Sequence, residues 1–467
     1  MSPQRTIGYY TSWSGYDIPA SSLSKLTHLH YSFGSVSFSA STGTYFLDFA
    51  DLYSDVTGNC VAASVKPPPT CTASDGSKKV ALAPLIGATG NCPSSDCTAG
   101  NTKLQCNPTV SIDVFNCGRY AYVFGLKEKA PQLRLVLAVG GWENTATFWK
   151  AVLPQNVDAF VKSIVSFITA FGWDGIDIDW EQPEKSDTAN FTSFLAKLRA
   201  AFTAYGPNRF NEQYIISFAA AQYTYQMDAI DKKGVCSSVD YINLMNYDID
   251  NAIGGIADHK TPVFYNTPVA LDLPGRSSSV DWMTKQYLTG CKPSQLNVGI
   301  VTYTHQWTKV SNTNNGLFQR ATGEINTFGP VWKELVNQGV ADSSMHFDSC
   351  ALASYAYVDS TFYSLDDEKS VAAKNWYVQN QSLGGLFMWE ISQDVPSGSP
   401  HSLLDVAVGL PPASNAYNFS GCSLYSPGGF PLSVGNGAVT GTRSNSSAFE
   451  PSFSLLFLLG IFIASFV

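Results

Sequence analysis

Short apolar runs, rich in β-branched and aromatic residues, recur along the chain between longer stretches of mixed polarity. Most runs are apolar nearly throughout, which is typical of parallel strands that are covered on both faces. Intervening stretches such as 191–204 have the composition of covering helices. Eight such runs predict an α/β fold, a (β/α)8 TIM barrel, with a doubly wound open sheet as the alternative. The runs are residues 6–13, 27–34, 133–141, 174–181, 214–221, 241–248, 296–303 and 383–390.

Two connections between these runs are longer than ordinary crossovers. The connection 35–132, after the second strand, holds six of the ten cysteines and is predicted to be a Cys-rich surface insertion. The connection 304–365 mixes a helical stretch with strand-like "SYAYV" and "STFYSL", which predicts a small α+β subdomain between strand 7 and helix 7. The predicted domains are therefore a barrel over 1–410 with these two insertions, followed by two further segments.

Beyond the barrel the composition changes. Residues 411–450 are rich in Pro, Gly, Ser and Asn and are predicted to form a stalk with a single cysteine, Cys422, that has no evident partner. Residues 451–467 form a short apolar tail preceded by small residues, the pattern of a lipid-anchor signal of the GPI type. A plain stop-transfer segment or an unremoved tail is the alternative.

An oxidising, extracytoplasmic location is expected from the cysteines. Their number is even, and no Cys-x-x-Cys pair or nearby His supports a zinc site, so disulfides are favoured and no metal or cofactor is expected. Four glycosylation sequons, at Asn190, Asn380, Asn418 and Asn445, agree with secretion. No apolar leader precedes the first strand, so either the true start of the protein lies upstream or the apolar tail has another meaning. The cysteines and sequons favour an upstream start.

The net charge and the aromatic content indicate which classes of binding partner the protein can have. Lys and Arg total 28 against 37 Asp and Glu, a net charge of −9 that disfavours nucleic acid and anionic membrane surfaces. A neutral ligand fits this balance better, and membrane contact is expected only through the C-terminal anchor. Aromatic residues make up 13% of the chain, enough for a large aromatic core or for platforms that stack on flat ligand faces. A monomer is expected.

The fourth apolar run, "DGIDIDWE", carries an unusual concentration of acids. Because side chains alternate along a strand, Asp177, Asp179 and Glu181 share one face while the apolar residues share the other. The acids are therefore predicted to point into the barrel, where repulsion and desolvation keep at least one protonated near neutral pH. Such a poised acid suits general acid catalysis. Asp174 begins the strand, away from its catalytic end, and is predicted to bond local backbone donors.

A solvated edge strand or a site for a hard cation would also concentrate acids. A solvated edge strand would place polar residues on its second face, where this strand has Ile and Trp. A site for a hard cation usually takes its carboxylates from loops with glycine turns. Both fit the run less well than a buried proton network.

With these residues the chain resembles the family 18 glycoside hydrolases, the chitinase family, whose fourth strand carries Asp-x-x-Asp-x-Asp-x-Glu. "GYYTSW", "LTHLHYSFG", "AVGGW", "LMNYD", "VGIVTY" and "GGLFMWE" are similar to the other family strands. The resemblance implies a chitinase that hydrolyses β-1,4-linked N-acetylglucosamine polymers by substrate-assisted retaining catalysis. The insertion at 304–365 would raise one wall of a deep cleft and favour endo action.

The resemblance also implies roles for individual residues. Glu181 would be the acid and later the base, Asp179 would orient the substrate acetamido group, and Asp177 would share a proton with Asp179. Tyr247 would hydrogen-bond the acetamido group, helped by Asp248. Trp389 would form the floor of the site, and the remaining cleft-lining residues would be Tyr9, Phe33, Trp142, Met245 and Tyr303.

Three positions depart from the family pattern. Ala138 replaces the usual Ser of Ser-x-Gly-Gly, Leu244 stands where Gln is common, and Thr304-His305 replaces a common Gly-Arg. None of these departures removes the predicted acid, Glu181.

Two alternative functions are left open. One is an endo-β-N-acetylglucosaminidase acting on N-glycans, which uses the same acidic strand. The other is a non-catalytic chitin-binding lectin, a class that usually lacks the acid.

Overall fold

The computed structural model describes most of the predicted barrel. Side chains are described over 4–14, 16–51, 54–55, 118–142, 146–268, 271–272, 278–420 and 422, and the backbone also at 70–73, 79–81, 104–105, 143–145, 425–426, 430–431, 433–435 and 438–440. Most of the predicted Cys-rich insertion and of the stalk beyond 422, and the whole predicted anchor signal 451–467, lie outside the described residues.

Eight parallel strands close into a barrel. Neighbouring strands pair in chain order, and β1 pairs with both β2 and β8, with Ile7 opposite His28 and Arg5 opposite Gly385. This closure confirms the predicted TIM barrel and excludes the open sheet, which would leave β1 and β8 unpaired with each other. The barrel strands are β1 Arg5–Thr11, β2 His28–Ser39, β3 Arg134–Gly140, β4 Gly175–Asp179, β5 Ile215–Ala220, β6 Tyr241–Leu244, β7 Leu296–Val301 and β8 Gly385–Trp389.

Helices cover the outside of the barrel. Among the described residues no helix is long and apolar enough to cross a membrane. The helices are Ala20–Leu23, Gly118–Lys129, Phe148–Ala151, Val157–Phe171, Thr188–Tyr205, Thr224–Met227, Lys232–Ser238, Val280–Tyr287, Trp332–Asn337, Val340–Ser343, Glu368–Asn380 and Leu403–Val408.

The helix Val157–Phe171 illustrates how the sequence builds this cover. Its buried residues include Phe160, Ile164 and Phe167, spaced three or four positions apart on one face. Each such side chain contributes roughly 1.5–3 kcal/mol when it leaves water. The helix ends at Gly172, whose φ of 69° is the left-handed conformation that glycine adopts most readily.

Alternation along β4 separates two cores. Ile176 and Ile178 belong to the core between barrel and helices, and Trp180, which follows the strand, stacks on Phe148 with ring centroids 5.5 Å apart. A second apolar cluster fills the barrel interior and includes Tyr9. The acids on the opposite face of β4 therefore point toward this interior.

Between β7 and the helix Glu368–Asn380 the chain forms a small antiparallel sheet. Its core contains Trp307, Tyr355 and Phe362. The strands, in spatial order, are Ile325–Asn326, His305–Trp307, Thr361–Leu365, Ala353–Val358 and Met345–Asp348, all inside the predicted insertion 304–365.

Two disulfides lie within the described residues. Cys236–Cys291 joins the helix Lys232–Ser238 to the turn after Val280–Tyr287. Cys350–Cys422 joins the inserted sheet region to the start of the predicted stalk, so the interpretation of Cys422 as a cysteine without a partner is wrong. The two cysteines are 72 residues apart in the sequence, so their pairing could not be predicted from local sequence patterns.

The beginning of the predicted stalk is packed on the barrel domain. Phe419 is buried and its ring contacts that of Phe264, with centroids 5.2 Å apart. The indole of Trp376 donates to the carbonyl of Ser414 at 3.1 Å and contacts the ring of Tyr417. These contacts, together with the nearby disulfide of Cys422, attach residues 414–419 to the domain.

Candidate active site

Asp177 lies deepest of the acids at the carboxyl end of β4. It is fully buried and accepts hydrogen bonds from the hydroxyls of Tyr9, at 2.6 Å, and Ser217, at 2.5 Å. The Nδ1 atom of His30 lies 3.4 Å from the same carboxylate. These neighbours come from β1, β2 and β5, so Asp177 is held by side chains from three other strands.

Asp179 is buried but bonded much less. Its side chain is in the barrel interior with 3% of its surface exposed, and within the described residues its Oδ1 atom has no hydrogen-bond partner. Burial, followed by the charges of Glu181 and Asp177, raises the pKa of Asp179 well above its ordinary value. A buried carboxyl oxygen without a donor is costly unless a ligand supplies one.

Glu181 follows the end of β4. Burial, and then the carboxylate of Asp248, raises its pKa to about 7. Glu181 is therefore largely protonated below neutral pH. Its partner in proton transfer would be a group that enters the open end of the barrel.

Tyr247 and Asp248 follow β6 and face the acids from the other side of the barrel. Tyr247 is buried, and desolvation, followed by the nearby carboxylates, raises its pKa well above 10, so it is a neutral donor. Asp248 has a φ of 56°, a left-handed conformation that Asp tolerates better than most residues. Its Oδ1 atom accepts from Tyr303 at 2.5 Å and lies 2.6 Å from Nε2 of His305.

Aromatic residues form the floor and rim. Trp389, half-buried at the end of β8, stacks on Phe33 with centroids 5.7 Å apart and contacts Tyr9 at 5.5 Å. Met245 is buried in the same interior cluster. Trp142 is different, because 76% of its surface is exposed just beyond β3, so it can contact only a ligand that extends outside the barrel.

Two adjacent glycines allow β3 to approach this site closely. Gly140 has a φ of 119°, and a Cβ atom there would lie 2.1 Å from the carbonyl oxygen of Asp179. At Gly141, with a φ of 77°, a Cβ would lie 2.6 Å from the ring of Phe33. The "GG" of this strand is therefore required by the packing of the acid strand and the aromatic floor.

The sequence profile of the family described as Glycosyl hydrolases family 18 matches residues 5–394, over which the barrel and all these side chains lie. The chain belongs to this family. Chitotriosidase-1 of Mus musculus is 30% identical over 303 residues, covering 60% of this chain and 62% of that protein. Chitinase A1 of Niallia circulans is 25% identical over 421 residues, covering 84% and 56%. The match thus spans about three fifths of these relatives' length.

Solved structures share the fold. Chitinase ChiW of Paenibacillus, described as a cell-surface-expressed multi-modular enzyme, superposes with a TM-score of 0.64 at 27% identity. The superposition covers 88% of this chain and 32% of that one. This chain therefore corresponds to about a third of that larger protein.

The family's acidic strand has partners in this chain that the sequence did not single out. Besides Ser217 and His30, the amide of Asn243 donates to the Tyr9 hydroxyl at 2.7 Å, while Asn297 donates to Asn243 at 2.8 Å. Alternation is the signal that could have found them, because each is polar at an inward position of an otherwise apolar strand. Which of them meet Asp177 is decided only by strand register.

The three departures from the family pattern fall in different environments. Ala138 lies beside Asp177 in the register of β3 and β4 and beside Ser32, whose hydroxyl has no partner among the described residues. Leu244 is in the core under the helices, away from the acids. His305 contacts Asp248, so the chain supplies a nitrogen base near the position where the family commonly has arginine.

Asp174, the first acid of the family signature, lies at the other end of β4. It accepts from the backbone N–H of Leu135 at 2.8 Å and from Nε and Nη2 of Arg209 at 2.7 and 3.0 Å. Its surroundings agree with the predicted structural role. Within the described ranges no group of three or more His, Cys, Asp or Glu side chains could hold a metal ion.

Proposed function

We propose that this protein is a chitinase that hydrolyses β-1,4-linked N-acetylglucosamine polymers with retention of anomeric configuration. The observation that carries the proposal is the buried Oδ1 atom of Asp179, which has no donor among the described residues and lies beside a carboxyl group with a pKa of about 7. An acetamido N–H is a donor that would meet this acceptor. A sugar without that group would leave Asp179 unbonded.

In the first step Glu181 donates its proton to the glycosidic oxygen. The acetamido carbonyl oxygen of the substrate attacks the anomeric carbon as the bond to the leaving sugar breaks, giving a cyclic oxazolinium ion. Positive charge develops on the acetamido nitrogen, and the carboxylate of Asp179 stabilises it while accepting the N–H bond. The raised pKa of Asp179 means that it holds a proton before the substrate enters. On this mechanism that proton passes to Asp177 as the acetamido group binds, which leaves Asp179 as the carboxylate.

In the second step Glu181, now ionised, removes a proton from water. The water attacks the anomeric carbon from the side that the leaving sugar left and breaks its bond to the acetamido oxygen, which regenerates the acetamide, so the product keeps the β configuration. The neutral Tyr247 donates to the acetamido carbonyl oxygen and holds it on line with the anomeric carbon. Trp389 supports the apolar face of the reacting sugar, and the same carboxyl of Glu181 serves as acid and then base.

Endo action is part of the proposal. Tyr303 and His305, at the base of the inserted sheet, bond Asp248, so the insertion begins at the rim of the site. Phe328, 66% exposed, lies against Tyr303 with ring centroids 5.4 Å apart. This side chain and Trp142 offer apolar surface for sugars beyond the reacting pair.

The test is an assay of the full chain on chitotetraose and chitohexaose with product anomers followed over time. Initial β-anomeric products from internal cleavage support the proposal, and initial α products contradict retention. Release of N-glycans from a glycoprotein with chitin oligomers untouched would assign the chain to the endo-β-N-acetylglucosaminidases instead. Tight binding of chitotriose with no hydrolysis would make it a lectin.

We also propose that the protein acts at the outside of a cell, held by a GPI anchor. The two disulfides and the exposed side chains of Asn380 and Asn418, both in sequons, support an extracytoplasmic location. Release of the protein from intact cells by a phosphatidylinositol-specific phospholipase is the expected result. Persistence on the membrane after complete phospholipase treatment would exclude the anchor.

A further inference from the structure

A fully buried ion pair lies between β7 and the helix Glu368–Asn380. Lys374 and Asp366 both have 0% of their side-chain surface exposed, and the Nζ and Oδ2 atoms are 2.5 Å apart. Burying such a pair is expensive unless every donor and acceptor is satisfied. Nothing in the proposed chemistry uses the pair directly, so a different role must account for its position.

All three protons of the Lys374 ammonium are directed to different acceptors. Besides Asp366 they are the hydroxyl of Thr261, at 2.6 Å, and the carbonyl oxygen of Gly299, at 2.8 Å. An ammonium has three donors, so its bonding capacity is filled. Asp366 in turn accepts from the backbone N–H of Val301 at 3.0 Å. The pair therefore hydrogen-bonds two backbone groups of β7, the Gly299 carbonyl and the Val301 N–H.

The Gly299 carbonyl and the Val301 N–H lie beyond the point where β7 stops pairing with β6. The pairing of β6 with β7 ends at Leu244 opposite Val298, because the chain turns away after Leu244. Buried backbone groups beyond that point would have no ladder partner. Lys374 donates to the Gly299 carbonyl and Asp366 accepts from the Val301 N–H, so the two side chains provide hydrogen bonds that a paired strand would otherwise make.

The segment that turns away carries the catalytic tyrosine. Asn246 donates to the Gly299 carbonyl at 3.0 Å and accepts from the Gly299 N–H at 2.7 Å, while its own carbonyl accepts from Thr261 at 3.1 Å. A Cβ atom on Gly299 would lie 2.7 Å from the ring of Tyr247. The ring of Tyr247 therefore packs against Gly299, whose carbonyl is hydrogen-bonded to Lys374.

We infer that Lys374 is a positioning residue, which fixes Tyr247 through Gly299 and Asn246. The inference rests on the proposed function, since it concerns how Tyr247 is aimed at the acetamido group. It predicts that loss of the pair lowers kcat through Tyr247 and by no other route.

The experiment is a double-mutant cycle on full-length protein with chitotetraose as substrate. The pair is removed as Lys374→Met with Asp366→Asn, so that no unpaired charge stays buried. We expect kcat to fall about 10-fold with KM changed less than about threefold, and Tyr247→Phe alone to cost about 10²-fold. Combining the two should cost no more than Tyr247→Phe alone, because there is then no hydroxyl to position.

Two further variants separate positioning from general stability. Thr261→Val keeps the ion pair but removes the hydroxyl that bonds both the Asn246 carbonyl and the Lys374 ammonium, so it should lower kcat about threefold with the fold intact. Tyr377→Phe is the matched control: Tyr377 lies on the same helix, is buried, and donates to Asp281 at 3.1 Å. Its loss should leave kcat unchanged.

Multiplicative losses in the cycle, or a fall in kcat no larger than that of Tyr377→Phe, would overturn the inference. A wild-type chain that does not cleave chitotetraose would instead overturn the proposed function. If the double substitution does not fold, Thr261→Val combined with Tyr247→Phe decides the question by the same additivity rule.

Discussion

Asp174 and Asp179 lie at the two ends of one strand, and both are buried. Asp174 accepts from a backbone N–H and from two nitrogens of Arg209. Asp179 has an oxygen without a donor in the described part of the chain and a pKa raised well above its ordinary value. Burial is therefore common to both carboxyl groups, and what separates them is the number of donors that each one has.

The raised pKa values of the acids at the carboxyl end of β4 make the stability of the fold depend on pH. The native state binds the protons of Asp179 and Glu181 more tightly than the unfolded chain does, because both pKa values are raised. The contribution of Glu181 to stability is present at low pH and is lost as pH rises through its pKa of about 7.

The largest expected effect is at the reactive end of the strand. Glu181→Gln should lower kcat on chitotetraose by about 10²- to 10⁴-fold, because the amide cannot donate a proton to the glycosidic oxygen. Steady-state kinetics measure the loss, and binding of chitotriose by calorimetry should persist. The variant should also melt at a higher temperature than wild type at about pH 8, where Glu181 is ionised. Retention of most activity would show that another group is the acid.

At the paired end the expected effect is on stability. Asp174→Asn should lower the free energy of unfolding by about 2–3 kcal/mol, since it leaves Arg209 and the Leu135 N–H with a weaker acceptor. Urea unfolding measures this change, and kcat per folded molecule should stay within about twofold of wild type. A fall in kcat comparable to that of Glu181→Gln would place Asp174 in the chemistry.

The pH profile tests the cause of the raised pKa. In the proposed mechanism Glu181 acts in its protonated form, so kcat/KM should decrease as pH rises through about 7. Asp248→Asn removes the charge that contributes after burial, so the descending limb should move to lower pH. Profiles of both proteins on chitotriose make the comparison. An unmoved limb would attribute the raised pKa to burial alone.

The smallest effect is expected at another unbonded group in the barrel interior. Ala138→Ser would give the Ser32 hydroxyl a partner and should raise the free energy of unfolding by up to about 1 kcal/mol. Ser32→Ala removes the unbonded group instead and is the matched control, with a similar gain. A loss of more than about 1 kcal/mol in Ala138→Ser would mean that the interior has no room for the oxygen.

Much of the site could be predicted because strand alternation is a local property. The period of two placed Asp177, Asp179 and Glu181 on one face, and the order of eight apolar runs predicted a closed barrel. The pairing of Cys350 with Cys422 and the packing of Phe419 on Phe264 were not predictable, since they join positions far apart in sequence. The composition of 411–450 pointed to a stalk, because composition does not show where single aromatic side chains pack.

The sequence by itself determined the fold class, the inward acids and the family, because these follow from repeating local patterns and a spaced motif. Only the tertiary structure decided which polar side chains meet those acids: Tyr9 and Ser217 on Asp177, His305 on Asp248, and none of the described donors on Asp179 Oδ1. Those meetings depend on register between strands and on loops closing over the barrel. A carboxylate's pKa is set by such neighbours, so the chemistry of the acids is a property of the folded chain.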